Sequence, residues 1–293
     1  MAEKKIAIIG LGLIGGSLGL ALKQARGSKI EIIGFARRPE VAAEAIRLGA
    51  VDRTQPNLAA AVSDADTVII ATPVLAIETV LQELSDSLLP NAIVSDVGST
   101  KTRILTWAKQ YLPSTIDFIG GHPMAGKEAT GIDEARADLF ADCIYCLTPG
   151  EDARVEAVEA MQTMVEWTGA KPLVIDSKRH DELVAGISHL PLVLSATLVS
   201  SLAQSPLWPE MSKLAASGYR DMTRLAMGSP VVHQGICKTN REAIVDWIDR
   251  YIEMLKKYRR IVADDDQALQ QSLHNARETR RIWLESDGQR FVE

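Results

Sequence analysis

Cysteine is scarce in this sequence, with three residues in 293. That is too few for a disulfide framework. Cys143 and Cys146 have the C-x-x-C spacing of metal and redox sites. They sit in an apolar run, 143–147, that reads as a strand, and residues i and i+3 of a strand point to opposite faces. No second Cys or His pair lies nearby in sequence to complete a metal site. An excess of positive charge is missing too. The formal net charge of −6 gives a field that disfavours nucleic acid and anionic membranes. No apolar run reads as long enough to span a membrane. The first residues, Met1 to Lys5, lead straight into a strand-like segment that glycines interrupt, which is not the pattern of a signal peptide. The expectation is a cytoplasmic protein with no nucleic-acid or membrane partner.

What is present is an ordinary globular composition, 46% hydrophobic and 24% charged, at a length that suits two domains. Short apolar runs at 5–9, 30–35, 67–71, 92–96, 117–120, 144–147 and 173–175 read as strands. Longer stretches with helical spacing separate most of them. Such alternation predicts crossover units, a mostly parallel sheet and strands buried on both faces. After Ile175 no strand pattern recurs. Leu183, Ile187, Leu190 and Leu194 repeat at helical spacing, as do Ile244, Trp247, Ile248, Tyr251, Ile252, Leu255 and Tyr258. The predicted architecture is a Rossmann-type, doubly wound α/β domain over residues 1–175, followed by an all-α domain over 176–293. The broad apolar face of 244–258 fits either an intrachain core or a dimer interface.

The first site signal is Gly10-Leu11-Gly12-Leu13-Ile14-Gly15, a G-x-G-x-x-G match between a strand and a helical stretch. Gly10 permits a tight turn, Gly12 lets backbone approach a pyrophosphate, and Gly15 lets helix and strand pack closely. The helix start, with Leu13 and Ile14, offers free N–H groups to phosphates. Thr72, just past the run 67–71, joins this candidate cofactor set. At the end of the second strand an NAD-binding protein carries an acid for the ribose hydroxyls. Here Ala36 stands in that place and Arg37 and Arg38 follow. A guanidinium can bind a 2′-phosphate, whereas a carboxylate would repel it. The expected cofactor is therefore NADP in preference to NAD.

The second signal is a pair of segments, 95–101 and 120–126, each following a strand. Open parallel sheets bind ligands outside the carboxyl ends of their strands. Ser99 and His122 can thus meet beside a nicotinamide, where a histidine can take a proton from a substrate hydroxyl as hydride leaves the same carbon. Alternatively, His122 caps the turn made by Gly-Gly and His-Pro. Lys101 reads as a phosphate or carboxylate contact, or as a solvated lysine. His180, His233 and His274 match no motif and read as surface or structural residues.

Taken in order, Gly10–Gly16, Asp96-Val97-Gly98-Ser99-Thr100-Lys101, Gly120-Gly121-His122-Pro123-Met124-Ala125-Gly126, Ser188-His189-Leu190-Pro191 and Tyr219-Arg220-Asp221-Met222-Thr223-Arg224 resemble the prephenate/arogenate dehydrogenases of tyrosine biosynthesis. The resemblance spans nearly the whole chain, and the later segments are far more specific than the glycine motif. It implies that His122 is the catalytic histidine at the ring hydroxyl. Ser99 would contact the same hydroxyl and orient that histidine. His189 would be a substrate-pocket histidine, Arg224 the arginine that binds a substrate carboxylate, and Glu128 an acid near the pocket mouth. It also implies oxidative decarboxylation of prephenate or arogenate with hydride transfer to NAD(P)+, and a homodimer formed through the helical domain.

The nearest rival is another two-domain dehydrogenase of the same layout, of the β-hydroxyacid or imine reductase type; fold alone does not separate them. The other is a non-catalytic NADP-binding sensor. His122 in its glycine-proline turn, with Ser99, favours the first reading.

Overall fold

The computed structural model describes residues 4–125, 129–264 and 266–286. Eight strands form one sheet in the order β3-β2-β1-β4-β5-β6-β7-β8. They are β1 (Lys4–Ile9), β2 (Ile30–Phe35), β3 (Arg53–Thr54), β4 (Thr67–Ile70), β5 (Ile93–Asp96), β6 (Asp117–Pro123), β7 (Ile144–Pro149) and β8 (Lys171–Val174). All neighbours run parallel except β6 and β7. Helices α1 (Leu13–Arg26), α2 (Pro39–Arg47), α3 (Leu58–Val62), α4 (Val74–Leu84), α5 (Thr102–Tyr111) and α6 (Val155–Trp167) connect them. The expected doubly wound sheet is what forms. The sequence pattern missed only β3, whose two residues are too short to show a period.

Alternation along β1 explains why the sheet needs helices on both faces. Ile6 and Ile8 join one buried cluster with Leu18, Leu22, Met161 and Val165. Ala7 and Ile9 join another, with Val68, Leu81, Val94 and Trp107. Successive side chains point to opposite faces, so both faces of β1 are apolar and both must be covered. Burying each isoleucine contributes about 1.5–3 kcal/mol. Edge strand β8 departs from that pattern: Leu173 and Val174 are each 45% exposed.

Only helices follow β8 among the described residues: α7 (Ser177–Val184), α8 (Leu190–Ala203), α9 (Trp208–Leu214), α10 (Ser217–Thr223), α11 (Pro230–Thr239), α12 (Arg241–Asp264) and α13 (Asp266–Ser286). Helices α7 and α8 are joined by a wide π turn, Ala185–His189, in which the Leu190 N–H reaches back to the Ala185 carbonyl. The continuous helix 177–203 is long and apolar enough to cross a membrane by length and composition. The expectation that no segment meets that test is corrected here. Its polar residues His180, Asp181 and His189 disguise the run in sequence, yet all three are buried inside the protein. By contrast Leu183 and Ile187, which gave the helical period, are 43% and 73% exposed.

Internal contacts divide the chain into two compact units, Met1–Arg241 and Glu242–Glu293. The second contains most of α12 and all of α13. In the single chain its Ile252, Leu255, Val262, Leu273 and Ile282 side chains stay exposed.

Candidate active site

The cofactor end is built by backbone. The Gly10 N–H donates to the Phe35 carbonyl at 2.8 Å, which ties the end of β1 to the end of β2. Gly10 has φ of +100°, and a Cβ there would lie 2.6 Å from the Ala71 carbonyl oxygen at the end of β4. No side chain fits that turn. A Cβ on Gly15 would lie 1.9 Å from the Gly10 oxygen, so glycine alone lets α1 start this close to the strand. Gly12 differs, because a Cβ there meets nothing within 4 Å. It caps α1 with no side-chain hydrogen bond, and no acid occupies the first turn. The helix start is therefore open to an anion.

A cleft of about 310 Å³ adjoins this turn, lined by Gly10, Ala36, Arg37, Asn57 and Thr72 among others. The Thr72 hydroxyl oxygen is buried with no hydrogen-bond partner among the described residues. Buried polar atoms of this kind call for a ligand or water. Open space over Gly12, the uncapped helix and the orphaned Thr72 oxygen fit a dinucleotide. Arg37 lines the cleft, whereas Arg38 is not among the lining residues and precedes α2 as its cap. Glu83 also lines it and is the one acid among the described lining residues.

The chemistry end is built by buried side chains. His122 lies near the carboxyl end of β6 and is 8% exposed. Close packing explains the glycines before it: a Cβ on Gly121 would come within 2.5 Å of the Asp96 carbonyl oxygen. His122 Nδ1 lies 2.9 Å from Nε2 of His180, and His180 Nδ1 lies 2.9 Å from Oδ1 of Asp181. Of the two readings of His180, surface or structural, its burial and two hydrogen-bonded partners exclude the first. Asp181 Oδ1 also accepts the Lys101 N–H at 2.8 Å, and its Oδ2 accepts the Thr102 N–H at 2.9 Å. An acid on α7 therefore caps α5 from about eighty positions away. No local capping signal could have revealed it.

Burial pushes His122 well below its ordinary titration range, and the charges of His180, Lys101 and His189 add to the effect. Burial opposes ionisation of Asp181. The hydrogen bonds from His180, Thr102 and Lys101 outweigh it and hold the carboxyl below its usual range. His189, at the end of the π turn, is 1% exposed, and burial takes it down to about 4. Its Nδ1 lies 3.2 Å from the Asn240 amide nitrogen, and its Nε2 is buried without a hydrogen-bond partner among the described residues. Asn240 also donates to the Asp181 carbonyl at 2.8 Å.

Lys101 is neither a phosphate contact nor solvated. It is fully buried, and its ammonium binds the Asp96 carboxylate and the Gly121 carbonyl. Asp96 in turn accepts the Gly98 N–H at 2.7 Å, so the pair fixes the loop that carries Ser99. Ser99 is half-buried beyond β5. No hydrogen bond joins its hydroxyl to His122 among the described residues; His180 occupies the orienting nitrogen instead. Arg224 is exposed at the start of a short 3-10 turn that follows α10. That turn is tied to α8 by the Ala226 N–H, which donates to Ser195 Oγ at 2.9 Å. Arg220 and Asp221 pair with each other at 3.3 Å. Glu128 lies outside the described residues. Cys146 is a free thiol, and no group of His, Cys, Asp and Glu among the described residues could hold a metal.

A doubly wound sheet with an open dinucleotide cradle at its switch point, and a buried neutral histidine two strands beyond β4 at the same edge, defines an NAD(P)-dependent oxidoreductase. Sequence comparison narrows the class. Residues 18–174 match the nucleotide-binding domain of prephenate dehydrogenase, and residues 176–275 match its dimerization domain. The chain belongs to the prephenate dehydrogenase family. Prephenate dehydrogenase of Bacillus subtilis is 38% identical, over 89% of this chain and 71% of that protein. The crystal structure of Synechocystis arogenate dehydrogenase superposes with a TM-score of 0.81 at 32% identity, covering 95% of this chain and 99% of that one. Prephenate dehydrogenase from A. aeolicus, in complex with hydroxyphenyl propionate and NAD+, superposes with a TM-score of 0.89 at 25% identity, covering 96% and 98%. The activity is that of a prephenate/arogenate dehydrogenase, and the two rival readings fall away.

Proposed function

We propose that the chain oxidatively decarboxylates prephenate or arogenate with His122 as proton acceptor, and that it uses NADP in preference to NAD. The observation that carries the first part is His122 itself: a neutral, buried imidazole at the sheet edge where the dinucleotide cradle opens. Bound NADP+ supplies the hydride acceptor. His122 takes the proton of the ring hydroxyl as its O–H bond breaks and the carbonyl forms. Hydride leaves the carbon that carried that hydroxyl. The C–C bond to the carboxylate at the opposite ring position breaks, carbon dioxide departs, its bonding pair makes the ring aromatic as a phenolate, and His122 returns the proton to the ring oxygen. Aromatisation drives the reaction, so the residues chiefly align groups and hold charge. Arg224 holds a substrate carboxylate, Ser99 shares the ring hydroxyl, and His189 and Glu128 shape the pocket. The products are 4-hydroxyphenylpyruvate from prephenate and tyrosine from arogenate.

NADP preference rests on Ala36 and Arg37, which line the cleft beside Gly10 and Thr72. A 2′-phosphate there meets a guanidinium and no strand-end carboxylate. We assign residues 1–175 to dinucleotide binding and 176–293 to substrate binding and homodimer formation. Exposed apolar side chains on α12 and α13 support that assignment, since single soluble chains rarely leave so many uncovered. A cytoplasmic location belongs to the same proposal.

The test is initial rates of reduced-nucleotide formation, by absorbance, with both substrates against both cofactors. Turnover of at least one substrate with NADP is expected. Cofactor binding without turnover of either would overturn the assignment.

A further inference from the structure

We propose that His180 and Asp181 are positioning residues that lock His122 in the tautomer able to accept the substrate proton. The inference rests on the reading of His122 as the proton acceptor and adds the groups that make it one. Three buried side chains stand in a row. Asp181 is 4% exposed, His180 1% and His122 8%. The two links between them are each 2.9 Å.

Protons in this row have one consistent arrangement. Asp181 is a carboxylate, already accepting two backbone N–H groups at the start of α5, so its Oδ1 must accept from His180 Nδ1. In a neutral His180 the Nε2 is then bare and can only accept. The donor to it is His122 Nδ1–H. His122 Nε2 is left with a free lone pair, which the substrate hydroxyl requires. The other arrangement needs a doubly protonated His180 that donates to both neighbours. That would place an imidazolium inside a buried row, at the desolvation cost of any buried ion. It would also place the His122 proton on Nε2 and remove the acceptor. Lys101 is paired to Asp96 and His189 is held by Asn240. Neither bonds His122, so neither can set its tautomer.

The same row serves the proton after transfer. When the substrate O–H breaks and an N–H forms at His122 Nε2, the ring becomes an imidazolium. Its Nδ1–H bond to His180 strengthens, and the Asp181 carboxylate beyond stabilises the new charge. The proton stays on His122, without passing to Asp181, until it returns to the ring oxygen of the aromatic product. Asp181 is not protonated, as in other carboxylate–histidine pairs.

Nitrogen-15 NMR of the full-length enzyme, labelled at its histidine rings and held at pH 8, reads the tautomer without reference to turnover. The His122 resonances are those missing from His122→Asn. The expected result is a protonated Nδ1 and a bare Nε2. A proton on Nε2 overturns the proposal. In Asp181→Asn the single tautomer should give way to a mixture, and kcat should fall about tenfold or more while NADP affinity holds. Unchanged tautomer and kcat would also overturn it. Because Asp181 caps α5 as well, His180 supplies a second route. His180→Gln can still accept from Nδ1–H and should retain more kcat than His180→Leu, at matched melting temperatures. Equal losses in the two would mean a merely structural role and end the proposal. Near-normal kcat in His122→Asn is a separate failure. It would sink the proton-acceptor reading whatever the spectra show.

Discussion

The two ends of the active site are built by different means. At the cofactor end, Gly10, Gly12 and Gly15 act by what they lack, and the contacts they permit lie within one strand–turn–helix and its neighbour β4. At the chemistry end, His122 on β6 is set by His180 and Asp181 on α7, with Lys101 and Asp96 packed beneath. One end is local backbone, and the other is side chains drawn from three separate stretches of chain. A local device can be varied without disturbing a distant one, so each end should fail separately.

The largest separation should come from His122→Asn, which lowers kcat by about two to four orders of magnitude, the usual range for general acid–base catalysis. Steady-state kinetics with saturating NADP measures it, and near-normal kcat removes His122 from the chemistry.

The next largest effect attacks the other end. The double change Ala36→Asp with Arg37→Asn should reverse the cofactor preference. In the unmodified enzyme that preference should be about ten- to a hundredfold in kcat/KM, because screening weakens a surface pair. Saturating kcat should survive. Added salt should weaken NADP binding more than NAD binding in the unmodified enzyme. Equal use of both nucleotides at matched ionic strength would mean that Arg37 is only a solvated charge.

A third change sits between the two. Arg224→Ala should raise KM about tenfold or more, as loss of a charge-assisted hydrogen bond worth roughly 1.5–3 kcal/mol would, with a smaller fall in kcat. Unchanged KM for both substrates would count against the carboxylate contact.

The smallest effect is on stability. His122 and His189 are held neutral by burial, below the range in which unfolded histidine titrates. Above about pH 6.5 neither state binds the proton, so these groups contribute no slope. As pH falls, the unfolded chain takes up protons that the folded one refuses, and folding stability declines. Each histidine contributes up to about 1.4 kcal/mol per pH unit. For His189 the decline should level off near its folded value of about 4. Denaturation at a series of pH values should show a shallower slope in His189→Asn. An identical slope would mean that His189 is not held neutral.

The same contrast explains what could be read from sequence. Strand positions and the glycine turn were legible because period and glycine placement are local properties; β2 forms over the very residues expected, whereas β6 runs on past Gly120 to Pro123 and β8 starts at Lys171 rather than Leu173. His122 was legible through its motif. His180 and Asp181 were not, because one histidine and one acid in a helix carry no local mark. Their role appears only when α7 packs on α5. Lys101 was misread for the same reason, since its partner Asp96 is close in sequence but only the fold buries the pair. Leu183 and Ile187 misled in the opposite sense: their period marked the helix, yet the buried face is the one bearing His180, Asp181 and His189.

Titrating NADP into His122→Asn tests the separation of the two ends most directly. The dissociation constant should stay within about threefold of the unmodified enzyme, a difference below the roughly 1.4 kcal/mol that a tenfold change represents, even though turnover is lost. A dissociation constant that weakens in step with kcat would show that His122 helps build the cofactor site, and would contradict the account.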